Sequence, residues 1–182
     1  MTLNEKLSWA EVGNISTGSG RVSDAFQLKF GVPTKELLPA GMSIYKFNGY
    51  NTLGQGAVTD ATALSPWWSP TLPFKHDAGL AQRKMIAQKN GVSFREWGRL
   101  TSVIKEDWST MAWLLTIELK VPVYAWFGGF KGMSRVDNAN KSKRDSSVEA
   151  KGPSKNLPGG GTQFYIPNLT VGHIQAHTFS PI

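Results

Sequence analysis

The segment 157-LPGGGTQFYIPNLT-170 combines the strongest turn signal of the chain with a strand signal. The glycines at 159–161 are typical of a tight loop, because glycine adopts left-handed backbone conformations without steric cost. Apart from Gln163, residues 162–166 are aromatic or β-branched and predict a strand, which Pro167 ends because proline has no amide hydrogen for a ladder. Gln163 therefore stands at the head of a strand, directly after a glycine loop.

Two earlier segments also predict strands. Residues 42–48, MSIYKFN, carry bulky side chains between Gly41 and Gly49, a pattern that predicts a short buried strand. Residues 63–73, ALSPWWSPTLP, contain three prolines. Because proline cannot donate to a ladder, this segment predicts a strand that ends abruptly or an edge strand with a rigid turn.

Two helices are predicted in the middle of the chain. Asp77 can cap a helix over residues 78–90, and Gly91 would be its left-handed stop. In a helix over residues 93–108, Ser93 forms a capping box with Glu96, and Val92 and Trp97 occupy the positions of a hydrophobic staple. One apolar stripe of this helix is expected to pack on the core; it consists of Trp97, Leu100, Ile104 and Trp108.

The remaining segments are predicted from weaker patterns. Residues 111–120 alternate with a period of two and residues 123–130 resume after a proline, so both predict strands. The apolar spacing of residues 22–30 predicts a short helix, and Thr34 could cap another helical turn. The tail after residue 168 shows little pattern.

The composition fits one globular domain over residues 21–182, with residues 1–20 as a linker or domain edge. The absence of cysteine excludes disulfides, thiolate nucleophiles and cysteine zinc sites. No apolar run approaches the roughly 20 residues that cross a bilayer, so a soluble protein with no membrane contact is expected. The order of elements predicts an α+β fold: two small packed mixed or antiparallel sheets with a cleft between them and helices against one face.

The net charge of +7 and the pI near 9.7 favour an anionic partner such as RNA, a dinucleotide phosphate or an acidic protein. Much of the positive charge falls in a long polar segment, residues 131–158, which is predicted to be a basic, mobile loop that would help to dock a target. Its cationic residues are Lys131, Arg135, Lys141, Lys143, Arg144, Lys151 and Lys155.

The order of these elements over roughly residues 42–170 resembles that of the toxin-type ADP-ribosyltransferases. The matching positions are Tyr45, Lys46 and Phe47 on a first strand, Ser65 with Trp67 and Trp68 on a second, and Gln163 with Tyr165 and Pro167 on the last. In that family an aromatic–basic pair on the first core strand holds the phosphate region of NAD, and a serine-led motif shapes the nicotinamide pocket. A glutamate heads the strand that ends in proline.

The resemblance implies an NAD-dependent ADP-ribosyltransferase, a glycosyltransferase that uses NAD as a substrate and needs no metal. Its catalytic residues would be Lys46, Ser65 and Gln163, and the same cleft would hold NAD through further contacts with Tyr45, Phe47, Trp67 and Tyr165. The resemblance also implies a domain of a larger secreted bacterial toxin. Such a domain acts in the cytoplasm of a target cell on a protein or a structured RNA, and a cognate immunity protein would be a partner.

The chain departs from the family at the position of the catalytic glutamate. The amide of Gln163 can bond a ribose hydroxyl but cannot stabilise a cation by charge. Three explanations stay open: a Glu-to-Gln change introduced to silence the enzyme, a different carboxylate such as Glu149, or a domain that only binds NAD or its target. Lys46 also replaces an arginine or histidine and loses bidentate phosphate geometry, and Ser65 is followed by a proline rather than a small hydroxyl residue.

Three alternatives remain at this stage. An NAD-hydrolysing toxin would use the same site with water as acceptor. A basic RNA-binding or RNA-cleaving domain would use His76, His173 or His177 as general acid and base, with tryptophans as stacking platforms. His173 and His177 also have the i, i+4 spacing of a metal pair on a helix, but a structural or surface role is favoured and no metal is predicted. The third alternative is an interaction domain whose aromatic residues contact a partner protein.

Overall fold

The computed structural model describes residues 2–18, 20–53, 63–136 and 156–182, and it has an α+β architecture dominated by one antiparallel sheet. The α-helices are α1 (Trp9–Val12), α2 (Leu80–Lys89) and α3 (Phe94–Ser102). The strands are β1 (Ser16–Thr17), β2 (Gly20–Arg21), β3 (Thr34–Leu38), β4 (Ser43–Asn48), β5 (Trp67–Pro70), β6 (Trp113–Leu119), β7 (Val123–Gly129), β8 (Met133–Ser134), β9 (Asn156–Leu157), β10 (Thr162–Tyr165) and β11 (Ile174–Pro181). Short 3-10 helices cover Val22–Ala25, Leu28–Phe30 and Val171–His173.

Seven strands form the large sheet in the order β11-β6-β4-β5-β10-β7-β3, and all neighbours are antiparallel. The pairs β1-β2 and β8-β9 form separate two-stranded ribbons. The predicted α+β class is confirmed. The two separate sheets of the prediction are instead two halves of one sheet, because β5 hydrogen-bonds to both.

Strand β5 joins the halves through different residues. Its second half pairs with β4, Tyr45 opposite Ser69, whereas its first half pairs with β10, Tyr165 opposite Trp67. Strand β10 therefore leaves β5 at the point where β4 begins to pair with it. The strand is short, as the prolines predict, but it is central rather than at an edge. The half that ends in Pro70 has a ladder neighbour on only one side, so the missing amide hydrogen of proline is tolerated there.

Three hydrophobic clusters cover the two faces of the large sheet. The main cluster lies on one face and includes Ile44, Trp68, Ile117, Phe127 and Phe164. Because alternate residues of a strand point to opposite faces, Tyr45, Trp126 and Tyr165 lie on the other face. There they belong to two smaller groups: an N-terminal cluster of Val12, Val22, Phe26, Trp126 and Tyr165, and a helical cluster of Tyr45, Phe47, Met111 and Leu114.

Helix α3 follows the sequence prediction at its start but not at its end. The Ser93 hydroxyl accepts a hydrogen bond from the Glu96 amide at 3.1 Å, which is one half of the predicted capping box; the Glu96 carboxylate pairs with Arg135 instead of returning to the Ser93 amide. The helix stops at Ser102, six residues before the predicted end at 108, and Val103 is left-handed with φ 53°. Ile104 and Trp108 therefore leave the predicted stripe and lie in the loop before β6.

The glycine loop at 159–161 explains where α3 ends. The amides of Gly159 and Gly161 donate to the carbonyl oxygens of Leu100 and Thr101 at 3.0 and 3.1 Å. The last carbonyls of a helix have no partner within it, and here residues far away in the chain supply one. A Cβ on Gly161 would lie 2.9 Å from the Thr101 oxygen, so this close contact requires glycine.

The structure corrects several weaker predictions in the terminal parts of the chain. Thr34 begins strand β3 instead of capping a helical turn, and the patternless tail contains β11, which pairs along β6. The helix predicted over 22–30 is two 3-10 segments. Residues 2–18, predicted as a linker or a domain edge, pack on the domain: Val12 is fully buried and the Leu3 amide donates to the Pro122 carbonyl.

Helix α2 is slightly shorter than predicted. It begins at Leu80 with Gly79 as its N-cap residue, although Asp77 accepts a hydrogen bond from the amide of Ala78. Gly91 has φ 65°, so the predicted left-handed stop is confirmed. No helix in the described part of the chain combines the length and the apolar character of a membrane span.

Candidate functional site

A cavity of about 790 Å³ lies where the two halves of the large sheet meet, and residues of both smaller clusters contribute to its wall. Trp67 comes from the N-terminal side, whereas Phe47 and Ile104 come from the helical side. Its floor is built by β4, β5 and β10, which diverge there as their register shows. The rest of the wall comes from Thr17, Gly18 and Ala25, the loop after α3 and the segment around β8.

Five of the seven residues predicted to form the site line this cavity: Lys46, Phe47, Ser65, Trp67 and Gln163. They come from β4, from β5 with the segment just before it, and from β10. The three predicted catalytic residues, Lys46, Ser65 and Gln163, are therefore brought together by the sheet although they are far apart in the sequence.

The other two predicted residues, Tyr45 and Tyr165, do not line the cavity. Tyr45 is fully buried in the helical cluster, and its hydroxyl accepts a hydrogen bond from Arg83 Nη1 at 3.2 Å. The ring of Tyr165 packs edge-on against Trp67, with ring centroids 4.5 Å apart. Both side chains are used in packing, so neither contributes to the wall of this cavity.

Lys46 brings a positive charge into poorly solvated surroundings. Burial lowers the pKa of its ammonium group from 10.5 to about 8, and no neighbouring carboxylate opposes this shift. Its Nζ lies 5.7 Å from the centre of the Trp68 ring, within the range of a cation–π contact. Lys46 is therefore a lining residue whose ammonium group is desolvated.

Gln163, which also lines the cavity, carries an unsatisfied polar atom. Its side chain is 0% exposed, and its Nε2 donates to the carbonyl oxygen of Ala25 at 3.4 Å. Its Oε1 is buried and has no hydrogen-bond partner. A buried acceptor without a partner costs about 1–3 kcal/mol.

The loop after α3 adds an acidic wall that sequence reasoning missed. Glu106, Asp107 and Trp108 line the cavity, and the carboxylate of Glu106 accepts a hydrogen bond from Arg135 Nη1 at 2.8 Å. The indole of Trp108 is 46% exposed, with Lys105 Nζ 4.9 Å from its centre.

One sequence signal could have revealed this loop. Two acidic residues, Glu106 and Asp107, would have fallen in the last turn of the predicted helix, where the helix dipole disfavours negative charge. An earlier helix end would have placed both in a loop.

Arg135 belongs to an internal ion-pair network rather than to a mobile basic loop. It is 5% exposed and also donates to Glu96 at 2.5 Å. Burial lowers the pKa of Arg135, but the hydrogen bonds and charges of Glu96 and Glu106 outweigh that effect and raise it. Lys131 is exposed and lines the cavity. The other predicted loop cations, and Glu149, lie outside the described residues.

The three histidines are not among the residues that line the cavity. His76 is exposed in the turn before α2. His173 ends a 3-10 helix and His177 lies in β11, so the helical metal pair is not formed. Burial lowers the pKa of His173, and its Nδ1 lies 2.9 Å from the Thr170 hydroxyl. Within the described ranges, no group of His, Asp and Glu side chains is arranged to hold a metal ion.

No protein-family model, curated protein or solved structure matches this chain.

Proposed function

We propose that this chain is an NAD-dependent ADP-ribosyltransferase that binds NAD in the cavity and breaks the bond between nicotinamide and ribose. The observation that carries the proposal is that one cavity is lined both by Lys46, whose ammonium group is desolvated, and by Gln163, whose Oε1 is unsatisfied. NAD has the complementary groups: an anionic pyrophosphate, ribose hydroxyls and two flat rings.

The chemistry of the wall supports a dinucleotide. The volume of about 790 Å³ falls in the usual range for sites that hold small molecules and cofactors. Lys46 would bind the pyrophosphate as a point charge, and Gln163 Oε1 would accept from a ribose hydroxyl. Trp67 and Phe47 offer ring faces for nicotinamide, since flat aromatic groups pack well on one another. The division of the large sheet at β5 also supports the comparison with the transferase family, in which NAD lies in a cleft between two small sheets.

The acceptor of ADP-ribose is a protein or a structured RNA. The net charge of +7 favours an acidic or nucleic-acid surface, and Lys131 would place positive charge beside the bound NAD. Water as acceptor makes the same site an NAD hydrolase, which is the close alternative. We further propose that the chain acts as a bacterial toxin domain, delivered from a producing cell into the cytoplasm of a target cell and neutralised in the producer by an immunity protein.

Calorimetry with NAD and measurement of nicotinamide release test this proposal. The wild-type protein should bind NAD and release nicotinamide, and cell lysate should distinguish the acceptors. Label from NAD that appears on a macromolecule indicates transfer, whereas release without labelling indicates hydrolysis. Gln163→Met keeps an unbranched side chain but removes the acceptor, so we expect at least tenfold weaker NAD binding. The free protein should be as stable as the wild type or about 1 kcal/mol more stable, because an unsatisfied buried group is gone.

Gln175→Met is the matched control, because Gln175 is an exposed glutamine on β11 whose amide bonds Glu118 outside the cavity. It should leave NAD binding and release unchanged. Wild-type protein that shows no NAD binding at millimolar concentration would overturn the proposal, and so would a Gln163→Met variant that binds NAD as the wild type does. If only Gln163→Glu releases nicotinamide, the glutamine is a silencing substitution and the site assignment still holds.

A further inference from the structure

The proposed reaction needs a group that accepts a proton, and Gln163 is not one. An acceptor hydroxyl or water that attacks ribose must lose its proton, and an amide has no basic lone pair for it at neutral pH. Among the described residues that line the cavity, only Glu106 and Asp107 carry a carboxylate.

Of the two carboxylates, Glu106 is the better positioned. Its side chain is 24% exposed, and Arg135 Nη1 holds its Oε1 at 2.8 Å. The amide of Glu106 also donates to the Arg135 carbonyl oxygen at 3.1 Å, so both the backbone and the side chain are fixed. Asp107 is exposed. A carboxylate in a fixed and partly desolvated position is better suited to proton transfer than one on the outer surface.

Glu106 keeps one oxygen for proton transfer. Arg135 contacts Oε1, and Oε2 has no hydrogen-bond partner among the described residues. Arg135 also donates a hydrogen bond to Glu96 through Nη2, so the charge of its guanidinium is shared between two carboxylates. Arg99 lies near both carboxylates, but its guanidinium donates to the backbone carbonyls of Ile104 and Ser109.

We infer that Glu106 is the catalytic base of the reaction, which rests on the proposed function of the site. The bond between ribose C1′ and the nicotinamide nitrogen breaks, and its electron pair leaves with nicotinamide, which becomes neutral. The acceptor oxygen, from water or a macromolecule, bonds to C1′ while its proton passes to Glu106 Oε2. The carboxylic acid then returns the proton to solvent, so NAD and acceptor yield the ADP-ribosyl product, nicotinamide and one proton. Gln163 binds the ribose, and Glu106 activates the nucleophile.

The test compares Glu106→Gln with Glu96→Gln. Both substitutions remove one carboxylate from Arg135, but Glu96 does not line the cavity. We expect Glu106→Gln to lower the rate of nicotinamide release by about 100-fold or more, the usual range for loss of a general base, with the Kd for NAD changed by less than about threefold. Glu96→Gln should keep both values within about threefold. In a Glu106→Ala variant, added formate should restore part of the rate, because a small carboxylate can enter the space left by the side chain.

The outcomes separate this inference from the proposed function. If the wild-type protein does not bind NAD, both fail. If it binds and cleaves NAD but Glu106→Gln is as active as Glu96→Gln, whether both are near wild type or both are impaired, only the assignment of Glu106 is overturned. An active Gln163→Glu variant of an inactive wild-type chain would also overturn it, because the missing charge would then belong at Gln163.

Discussion

At the scale of single residues, the site differs from most of the core because two of its polar side chains carry a group that lacks a hydrogen-bonding or charged partner among the described residues. The ammonium group of Lys46 is desolvated without a carboxylate beside it, and Gln163 Oε1 is buried without a donor. Each arrangement costs stability in the free protein. Folded chains tolerate such costs mainly where a ligand removes them, which is why perturbed groups that share one cavity indicate a binding site.

The lowered pKa of Lys46 predicts how NAD binding depends on pH. Only the ammonium form attracts a phosphate, and half of it is lost near pH 8 in the free protein. The Kd for NAD should therefore be constant below about pH 7 and should rise by up to about tenfold per pH unit above pH 8. Calorimetry at a series of pH values measures this change in the Kd. Lys46→Arg, which stays charged, should bind NAD with little pH dependence, whereas Lys46→Met should bind weakly at every pH.

The same shift predicts a stability effect with a definite sign. The unfolded chain keeps the Lys46 proton up to about pH 10.5, whereas the folded chain releases it near pH 8. The unfolded state binds more protons in this window, so this residue makes the free energy of unfolding rise with pH there. Lys46→Met should lack this contribution in denaturant titrations. Wild-type NAD binding with no change in Kd between pH 7 and about 9.5 would exclude Lys46 as the phosphate ligand.

At the scale of elements, α3 controls the shape of the cavity through its contact with β4 and through the point where it ends. Gly98 lets the helix approach Phe47, since a Cβ there would lie 2.2 Å from the end of the Phe47 ring. The end at Ser102, capped by the 159–161 loop, releases residues 103–110 to form the acidic wall. A longer helix would have carried Glu106 away along its own axis.

Gly98→Ala should disturb both packing and binding. The added methyl group overlaps the buried Phe47 ring, which also contacts Phe94 and Tyr45, so the ring cannot move freely. We expect a loss of about 1–3 kcal/mol in the free energy of unfolding and weaker NAD binding, because Phe47 lines the cavity. Chemical denaturation and calorimetry measure the two effects.

Gly18→Ala is the control, since a Cβ at Gly18 meets nothing within 4 Å. It should change stability by less than about 0.5 kcal/mol. Equal stability of the two alanine variants would show that α3 can shift away from Phe47 without cost.

At the scale of the whole molecule, Arg83 ties together the two halves of the sheet that meet at β5. It projects from α2 and is 2% exposed. Its guanidinium donates to Tyr45 Oη on β4 and to Thr162 Oγ1 on β10 at 3.2 and 3.1 Å, and it forms an ion pair with Asp77. Because β4 and β10 belong to different halves, this one side chain spans the division that creates the cavity.

Arg83→Met should therefore destabilise the protein as a whole. Methionine fills part of the space but leaves the Tyr45 hydroxyl and the Asp77 carboxylate without their cation, and breaking a buried ion pair from one side costs about 3–5 kcal/mol. The free energy of unfolding should fall by about 3 kcal/mol. Lys84→Met, at the neighbouring exposed position with a cation–π contact to Phe94, should cost less than about 1 kcal/mol. A loss below about 1 kcal/mol for Arg83→Met would mean that β5 alone holds the halves together.

How much could be predicted differs between the two ends of α3. The start follows from Ser93 and Glu96, which are neighbours in the sequence and act locally. The end depends on the amides of Gly159 and Gly161, which no local pattern around Ser102 reveals. The position of Glu106 beside the cavity could not be predicted for the same reason. The resemblance to the transferase family singled out Lys46, Ser65 and Gln163, and all three line the cavity.

The sequence by itself determined the α+β class, the central strands β4, β6, β7 and β10, the start of α3 and the left-handed stop at Gly91, since all of these depend on side-chain alternation, capping and glycine conformation within short segments. Only the tertiary structure decided the pairing of both halves through β5, the edge strands β3 and β11, and the acidic wall beside Gln163. These features arise from contacts between distant segments, whose energies depend on which surfaces meet rather than on local propensity.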